Sequence, residues 1–314
     1  MAGHTSSNVE YLTRSNLWSA ELKDVLYADL MNQKYCKMVD FPDGDTLNIP
    51  SIGQMEIRDF AEGRSVEYTS IDTGNFTMTI DQYKSAGTFI TAKARQDLFY
   101  ASQLEAAFLP KMSRALAEEM EAKVFALGPE GQTASAVNSI NGAEHRWVGQ
   151  GTNEVIAVQD FAKALYALQK ANVPMSNLVA IVDPSVEYTL NTLSNIVNVS
   201  NNPRWEGIIE TGHRTGMHFL KNIFGFDVYV SQFLKSGISE TVDSVTVTTG
   251  VANLFFSAAS DVLPFIGAVR QAPKVDSEWN KDFQREEYVV TCRYGYKLYR
   301  PENMVVVLTD TDQV

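Results

Sequence analysis

Thr46-Leu47-Asn48-Ile49-Pro50-Ser51-Ile52-Gly53 and Asn75-Phe76-Thr77-Met78-Thr79-Ile80-Asp81 are the two limbs of one excursion. The first limb continues through Met55 and Ile57. In the second, Phe76, Met78 and Ile80 alternate with Thr77, Thr79 and Asp81. Alternation with period two gives each strand one apolar face. The return limb runs on through Phe89, Ile90, Ala92 and Ala94, so the excursion spans Thr46 to Lys93. Its tip, Arg58-Asp59-Phe60-Ala61-Glu62-Gly63-Arg64-Ser65, is polar. A two-stranded arm of this length has too little core of its own to stand alone. Its apolar face is therefore buried on its own domain or on another molecule, and a second copy of the same chain is the expected partner.

A long helix follows at once, predicted over about Leu104 to Leu127. Leu109, Met112, Leu116, Met120, Val124 and Leu127 recur at three- and four-residue spacing. Lys111, Arg114, Glu118, Glu119, Glu121 and Lys123 fall on the other faces, which assigns them to solvent. Pro110 suits a first turn, so the regular helix is expected from Leu109 or Pro110. Gly128-Pro129 is the expected stop.

On the N-terminal side, Leu17, Ala20, Leu22, Val25, Leu26 and Leu30 suggest a helix within an extended arm, capped by Ser15 or Asn16, with a turn at Asp43-Gly44. On the C-terminal side, residues 129–154 read as loop with short strands. A helix over Val158 to Ala171, a buried strand Leu178 to Asp183 and a helix opening at Pro184 make an α/β unit. Strands are expected at Met217–Leu220, Phe226–Val230, Val245–Thr249, Leu254–Ser257, Ile266–Gln271, Tyr288–Leu298 and Met304–Thr309. The fold class is α+β.

The chain has 314 residues, 45% of them hydrophobic, enough for one large core or two modest ones. No apolar run reaches the length of about 18 residues that spans a membrane. The polar N-terminus carries no secretory signal, and a cytoplasmic setting is expected. Two cysteines, Cys36 and Cys292, cannot build a disulfide framework or a four-thiolate zinc site. A net charge of −12 argues against general nucleic-acid binding, which needs a clustered basic surface. It is compatible with an acidic wall that repels enclosed DNA and keeps it from sticking.

Motifs of chemistry are absent. There is no phosphate loop, dinucleotide fingerprint, nucleophile elbow or zincin helix. Gly149-Gln150-Gly151 lacks the strand and third glycine of a phosphate cradle. Asp40, Asp43 and Asp45 lack the spacing and closing glutamate of a calcium loop. Glu210, His213 and His218 lie where their spacing does not bring them to one face. No catalytic residue, cofactor or metal is expected.

The order of arm, β excursion, long helix, α/β middle and β tail resembles the major capsid protein of tailed bacteriophages, the Hong Kong 97 fold. Local phrases carry the resemblance: Leu47 to Gly53, Val182-Asp183-Pro184, Gly225-Phe226-Asp227-Val228-Tyr229-Val230-Ser231, and Arg293-Tyr294-Gly295-Tyr296-Lys297-Leu298-Tyr299-Arg300-Pro301. The resemblance implies an N-terminal arm over 1–45 and an E loop over 46–95 that lies across a neighbouring subunit. It further implies a peripheral (P) domain with a spine helix, begun over 96–154 and completed by a β tail over 272–314. An axial (A) domain occupies 155–271. Implied contact residues are Arg58, Asp59, Phe60, Glu62 and Arg64 at the E-loop tip. Leu109, Met112, Leu116, Met120 and Val124 pack the spine helix. The implied function is an icosahedral shell of hexamers and pentamers around double-stranded DNA, in a virion assembled in the host cytoplasm. Implied partners are further copies of the chain, a scaffolding protein, a portal protein and a decoration protein.

Two departures refine this. No long helical scaffolding segment precedes the arm, so scaffolding is expected as a separate protein. The E-loop tip has no lysine, and Lys84 lies well down the return limb, so no isopeptide cross-link is expected. Alternatives are an encapsulin-like compartment around protein cargo, an α/β enzyme with a deep polar pocket, and a cell-surface binding protein, which the missing signal peptide and the cysteine usage disfavour.

Overall fold

The computed structural model describes residues 34–40, 44, 46–53, 62, 73–97, 101–192 and 219–310. The elements are β1 (Cys36–Met38), β2 (Thr46–Ile52), β3 (Thr73–Thr79), β4 (Gln82–Thr91), α1 (Ala92–Asp97), α2 (Ala101–Glu130), β5 (Arg146–Val148), α3 (Val158–Lys170), β6 (Leu178–Val182), α4 (Pro184–Thr192), β7 (Phe219–Ile223), β8 (Phe226–Val230), β9 (Ile238–Val242), β10 (Val245–Ser257), β11 (Phe265–Asn280), β12 (Arg285–Leu298) and β13 (Val305–Asp310). The expected arm helix, its cap, Asp43, Glu210, His213 and His218 lie outside the described residues.

Three sheets form. One has the order β1-β11-β12-β4, and a second the order β5-β13-β10-β6-β8-β7, with β9 paired to β10. The third is the two-stranded β2-β3. Two expected boundaries shift. The return limb does not stay in the hairpin, because β4 pairs with β12 in unbroken register from Gln82↔Tyr294 to Thr91↔Arg285. The last strand was expected in the peripheral tail, but β13 lies between β10 and β5 in the larger sheet. Its six residues are all buried, so it belongs at a sheet centre.

The helix α2 is longer than its stripe predicted, running from Ala101 through Pro110, Gly128 and Pro129 to Glu130. Gly128 is not a stop. A Cβ there would lie 2.5 Å from Leu254 Cδ2, so glycine permits close approach to β10. The helix serves two cores. Leu116, Ala117 and Met120 pack with Val290, Cys292 and Tyr294 of β12. Val124 and Phe125 pack with Leu254, Phe256, Val306 and Leu308 of the larger sheet.

Double coverage corrects the reading of the acidic cluster. Glu121 was assigned to solvent, yet it is 8% exposed. It shares a stripe with Ala117 and Phe125, one helical repeat away on each side. Burial, then the neighbouring Glu118, pushes its carboxyl up to about 7.

A second buried charge ties the helix end to the larger sheet. Arg146 of β5 donates through Nε and Nη2 to Glu240 Oε1 of β9, at 2.8 and 2.6 Å. Its Nη1 donates to the Pro129 carbonyl at 3.0 Å. Nearby, Asp160 accepts from Trp147 Nε1 at 2.9 Å and from the Ala157 amide at 2.8 Å, fixing the start of α3 against β5.

The folded state prefers protonated Glu121, so its contribution is intact below about pH 4 and is lost as pH rises through about 7. Glu121→Gln is expected to stabilise the unassembled subunit at pH 8 by about 1–3 kcal/mol and to do nothing at pH 4, measured by urea unfolding. An equal effect at both pH values would contradict the assignment. Arg146→Ala strands the Glu240 carboxylate and is expected to cost about 3–5 kcal/mol. Removing both charges together, as Arg146→Met with Glu240→Leu, should recover most of that loss.

Candidate assembly surface

The hairpin β2–β3 is paired from Thr46↔Thr79 to Ile52↔Thr73. Directly opposed residues share a face, so Leu47 and Ile49 of β2 stand beside Met78 and Phe76 of β3. That face packs on the chain's own body, against Ile266, Ala268 and Tyr299. Phe76 meets Tyr299 edge to face at 5.1 Å. Lys297 donates to the Thr77 carbonyl at 2.6 Å and lies 5.0 Å over the Phe76 ring. The expectation that the hairpin's apolar face is buried on an adjacent copy is therefore corrected at the root. Alternation showed that a buried face exists but not which molecule covers it.

Farther out the hairpin leaves the body. Thr73, Gly74 and Asn75 are exposed, as are Pro50, Ser51 and Gly53. Pro50 lies on an edge strand, where a missing amide does no harm. Of the expected tip residues, Arg58, Asp59, Phe60 and Arg64 lie outside the described residues, and Glu62 is in an exposed turn.

Of the helix residues, Leu116 and Met120 are buried against β12, with Met112 packed beside them, and Val124 is buried in the other core. Leu109 is within α2, and its side chain lies outside the described residues. Lys84 of β4 pairs with Glu119 of α2 at 2.9 Å within the chain.

The opposite face of the β4–β12 pair looks outward. Tyr83 is 64% and Phe89 53% exposed. Between them come Ser85 and Gly87. At the end of the strip the Arg285 guanidinium lies 4.5 Å from the Phe89 ring and 4.8 Å from that of Phe283. Arg285 also pairs with Glu287 at 2.6 Å, and that hydrogen bond draws the Glu287 carboxyl below its usual range. Sequence reading missed this cluster. Its signal was an aromatic and an arginine on the outward phase of two strands whose pairing was not yet known.

Among the described residues, no His, Cys, Asp or Glu grouping could hold a metal, and no helix is long and apolar enough to cross a membrane. His145 is a buried core residue. Its Nδ1 lies 3.1 Å from the Ala143 carbonyl, and burial lowers its pKa. The groove beside α2, about 360 Å³ and lined by Ala122, Ala126, Phe233 and Leu234, is rimmed by Glu130 and Lys235, which pair at 2.8 Å.

The chain resembles known shells throughout its length. The mature capsid of bacteriophage PhiM1 matches at 11% identity over 91% of this chain and 88% of that one, with a TM-score of 0.67. Mycobacterium phage Che8 matches at 19% identity over 84% and 85%, with a TM-score of 0.59. The virus-like particle from Pyrococcus furiosus matches at 12% identity over 95% and 99%, with a TM-score of 0.52. No curated protein matches by sequence. The family model for phage capsid proteins matches residues 75–307, from β3 to β13. The chain therefore belongs to the phage capsid protein family, has the Hong Kong 97-type α+β fold, and is a major capsid protein that assembles with copies of itself into a shell.

Proposed function

We propose that the shell is icosahedral, built of hexamers and pentamers, and encloses double-stranded DNA without sequence-specific contact. The observation that carries the reading is the family match over residues 75–307. The geometry of the hairpin adds to it. Its root is held on its own subunit, and the described residues farther out, Pro50, Ser51, Gly53 and Thr73 to Asn75, are exposed. In this arrangement the tip, with Arg58, Asp59, Phe60, Glu62 and Arg64, lies across the neighbouring subunit as an E loop. The β1-β11-β12-β4 sheet with α2 forms the peripheral domain. The α3–β6–α4 unit and its sheet lie toward the capsomer axis. A scaffolding protein directs assembly in the host cytoplasm, and a portal occupies one vertex. The acidic chain, at −12, lines the container without holding the duplex.

A second reading is a cell-encoded compartment around protein cargo, an alternative that the likeness to the virus-like particle from Pyrococcus furiosus leaves equally compatible with the fold. That likeness concerns the fold alone. Purified particles decide between the two: nuclease-protected double-stranded DNA supports the viral shell, and a protein cargo with no DNA supports the compartment.

The tip charges set register more than strength, because exposed pairs contribute only about 0–1 kcal/mol each. Arg58→Glu with Arg64→Glu is expected to leave the subunit folded by circular dichroism and to reduce shell yield in sucrose gradients at least several-fold. Normal particles from the double reversal would count against the E-loop contact. Mature particles boiled in detergent should run as one band near 34.9 kDa. A ladder of linked species would show a covalent cross-link.

A further inference from the structure

We propose that Phe224 is an assembly contact, an aromatic side chain displayed at the edge of the axial domain for a second copy of this chain. The proposal rests on the shell-forming reading above. Phe224 and Gly225 are the two-residue turn between β7 and β8, closed by the pair Ile223↔Phe226. Their φ angles are +49° and +86°. Positive φ at both central positions is the pattern of a type I′ turn, for which Asn-Gly is the favoured pair. Gly225 meets that demand. Phe224 does not, because a bulky side chain is a true outlier in the left-handed region. Every other non-glycine residue with positive φ among the described residues is Asn, Asp, Ser, Glu or Gln.

Local packing does not account for the ring. Phe224 is 51% exposed, so its apolar surface is only partly covered by its own subunit. The turn is nevertheless well held. Asn222 Nδ2 donates to Asp227 Oδ1 at 2.7 Å across the hairpin, and Ile223 and Phe226 on either side are buried. The ring is thus displayed from a firm base at a conformational cost. Strain kept in a stable structure points to a use for the strained residue.

Position names the occupant. Among the described residues β7 is the terminal strand of the larger sheet, so the turn lies at that sheet's edge. In a protein that assembles with copies of itself, a lateral neighbour is the occupant that such an edge suits. An aromatic ring on a fixed turn loses little freedom when it is buried there, which is how a few side chains come to dominate an interface.

The test separates the turn from the contact. Phe224→Asn and Phe224→Gly both suit the left-handed position, so both are expected to raise the Tm of the unassembled subunit by about 2–4 °C. Both are expected to lower shell formation, raising the subunit concentration required about tenfold or more, read by sedimentation and negative-stain microscopy. Phe224→Tyr keeps the ring and should assemble as the parent does. A raised Tm with unchanged assembly overturns the proposal and leaves Phe224 as a strained turn residue. A lowered Tm also overturns it, because the ring would then be holding its own subunit together. If the parent chain forms no shells, the shell reading fails, and this proposal with it.

Discussion

One helix shared by two cores is the constraint on which the rest depends. α2 has 30 residues and so reaches about 45 Å. Its middle is buried under β12 of the four-stranded sheet, and its last turns are buried under β10 and β13 of the larger one. Neither sheet can tilt without moving the rod they share. The far end is pinned twice, by the Arg146 guanidinium on the Pro129 carbonyl and by the Lys235–Glu130 pair. The first of these is buried, where breaking one partner leaves an uncompensated charge. The second is half exposed and adds little. The subunit therefore meets its neighbours as one preformed shape.

Rigidity of the body gives the hairpin its division of labour. Met78 and Ile80 are buried on the parent subunit, and the Phe76–Tyr299 contact extends that anchorage outward. Farther out the described residues Pro50, Ser51, Gly53 and Thr73 to Asn75 are exposed and small or polar. Apolar surface for a neighbour is present elsewhere on the subunit: Tyr83 and Phe89 on the outward sheet face, and Phe283 in the turn between β11 and β12, each expose more than half of their surface.

Much of this was legible in the residues, and the gaps share a cause. Period-two alternation found β2 and β3, but not which phase of β4 faces outward. Period 3.6 found α2, α3 and α4. Partners were not legible. The alternation of β4 is the same whether it pairs with β3 or with β12, so the return limb was placed in the hairpin. Glu121 was sent to solvent because a stripe counts the apolar side of a helix and is blind to a second sheet closing over its flank. Gly128 was read as a stop because a cap and a close approach call for the same residue. Lys84 was read as lying down the limb, but its pairing with Glu119 depends on a helix that begins 17 residues farther along the chain. The tip residues Arg58 to Arg64 rest on the resemblance alone.

The exposed aromatics also bear on how such a subunit avoids sticking before it assembles. Large contiguous apolar patches drive non-specific association, whereas single exposed apolar side chains do not. Here Tyr83 and Phe224 are set apart in the fold from the group of Phe89, Arg285 and Phe283. Phe89 and Phe283 flank a guanidinium, Tyr83 stands six residues along the strand beyond small side chains, and Phe224 occupies a turn of the other sheet. Each contact made by one of these alone is weak. A subunit in a closed shell makes several at once, and their combination is strong because the later ones form within an object already held together. Weak individual contacts let misplaced subunits leave, and closure retains the rest. An acidic net charge of −12 adds mutual repulsion between free subunits, which raises the threshold for wrong encounters more than for the many-point contact of the finished shell.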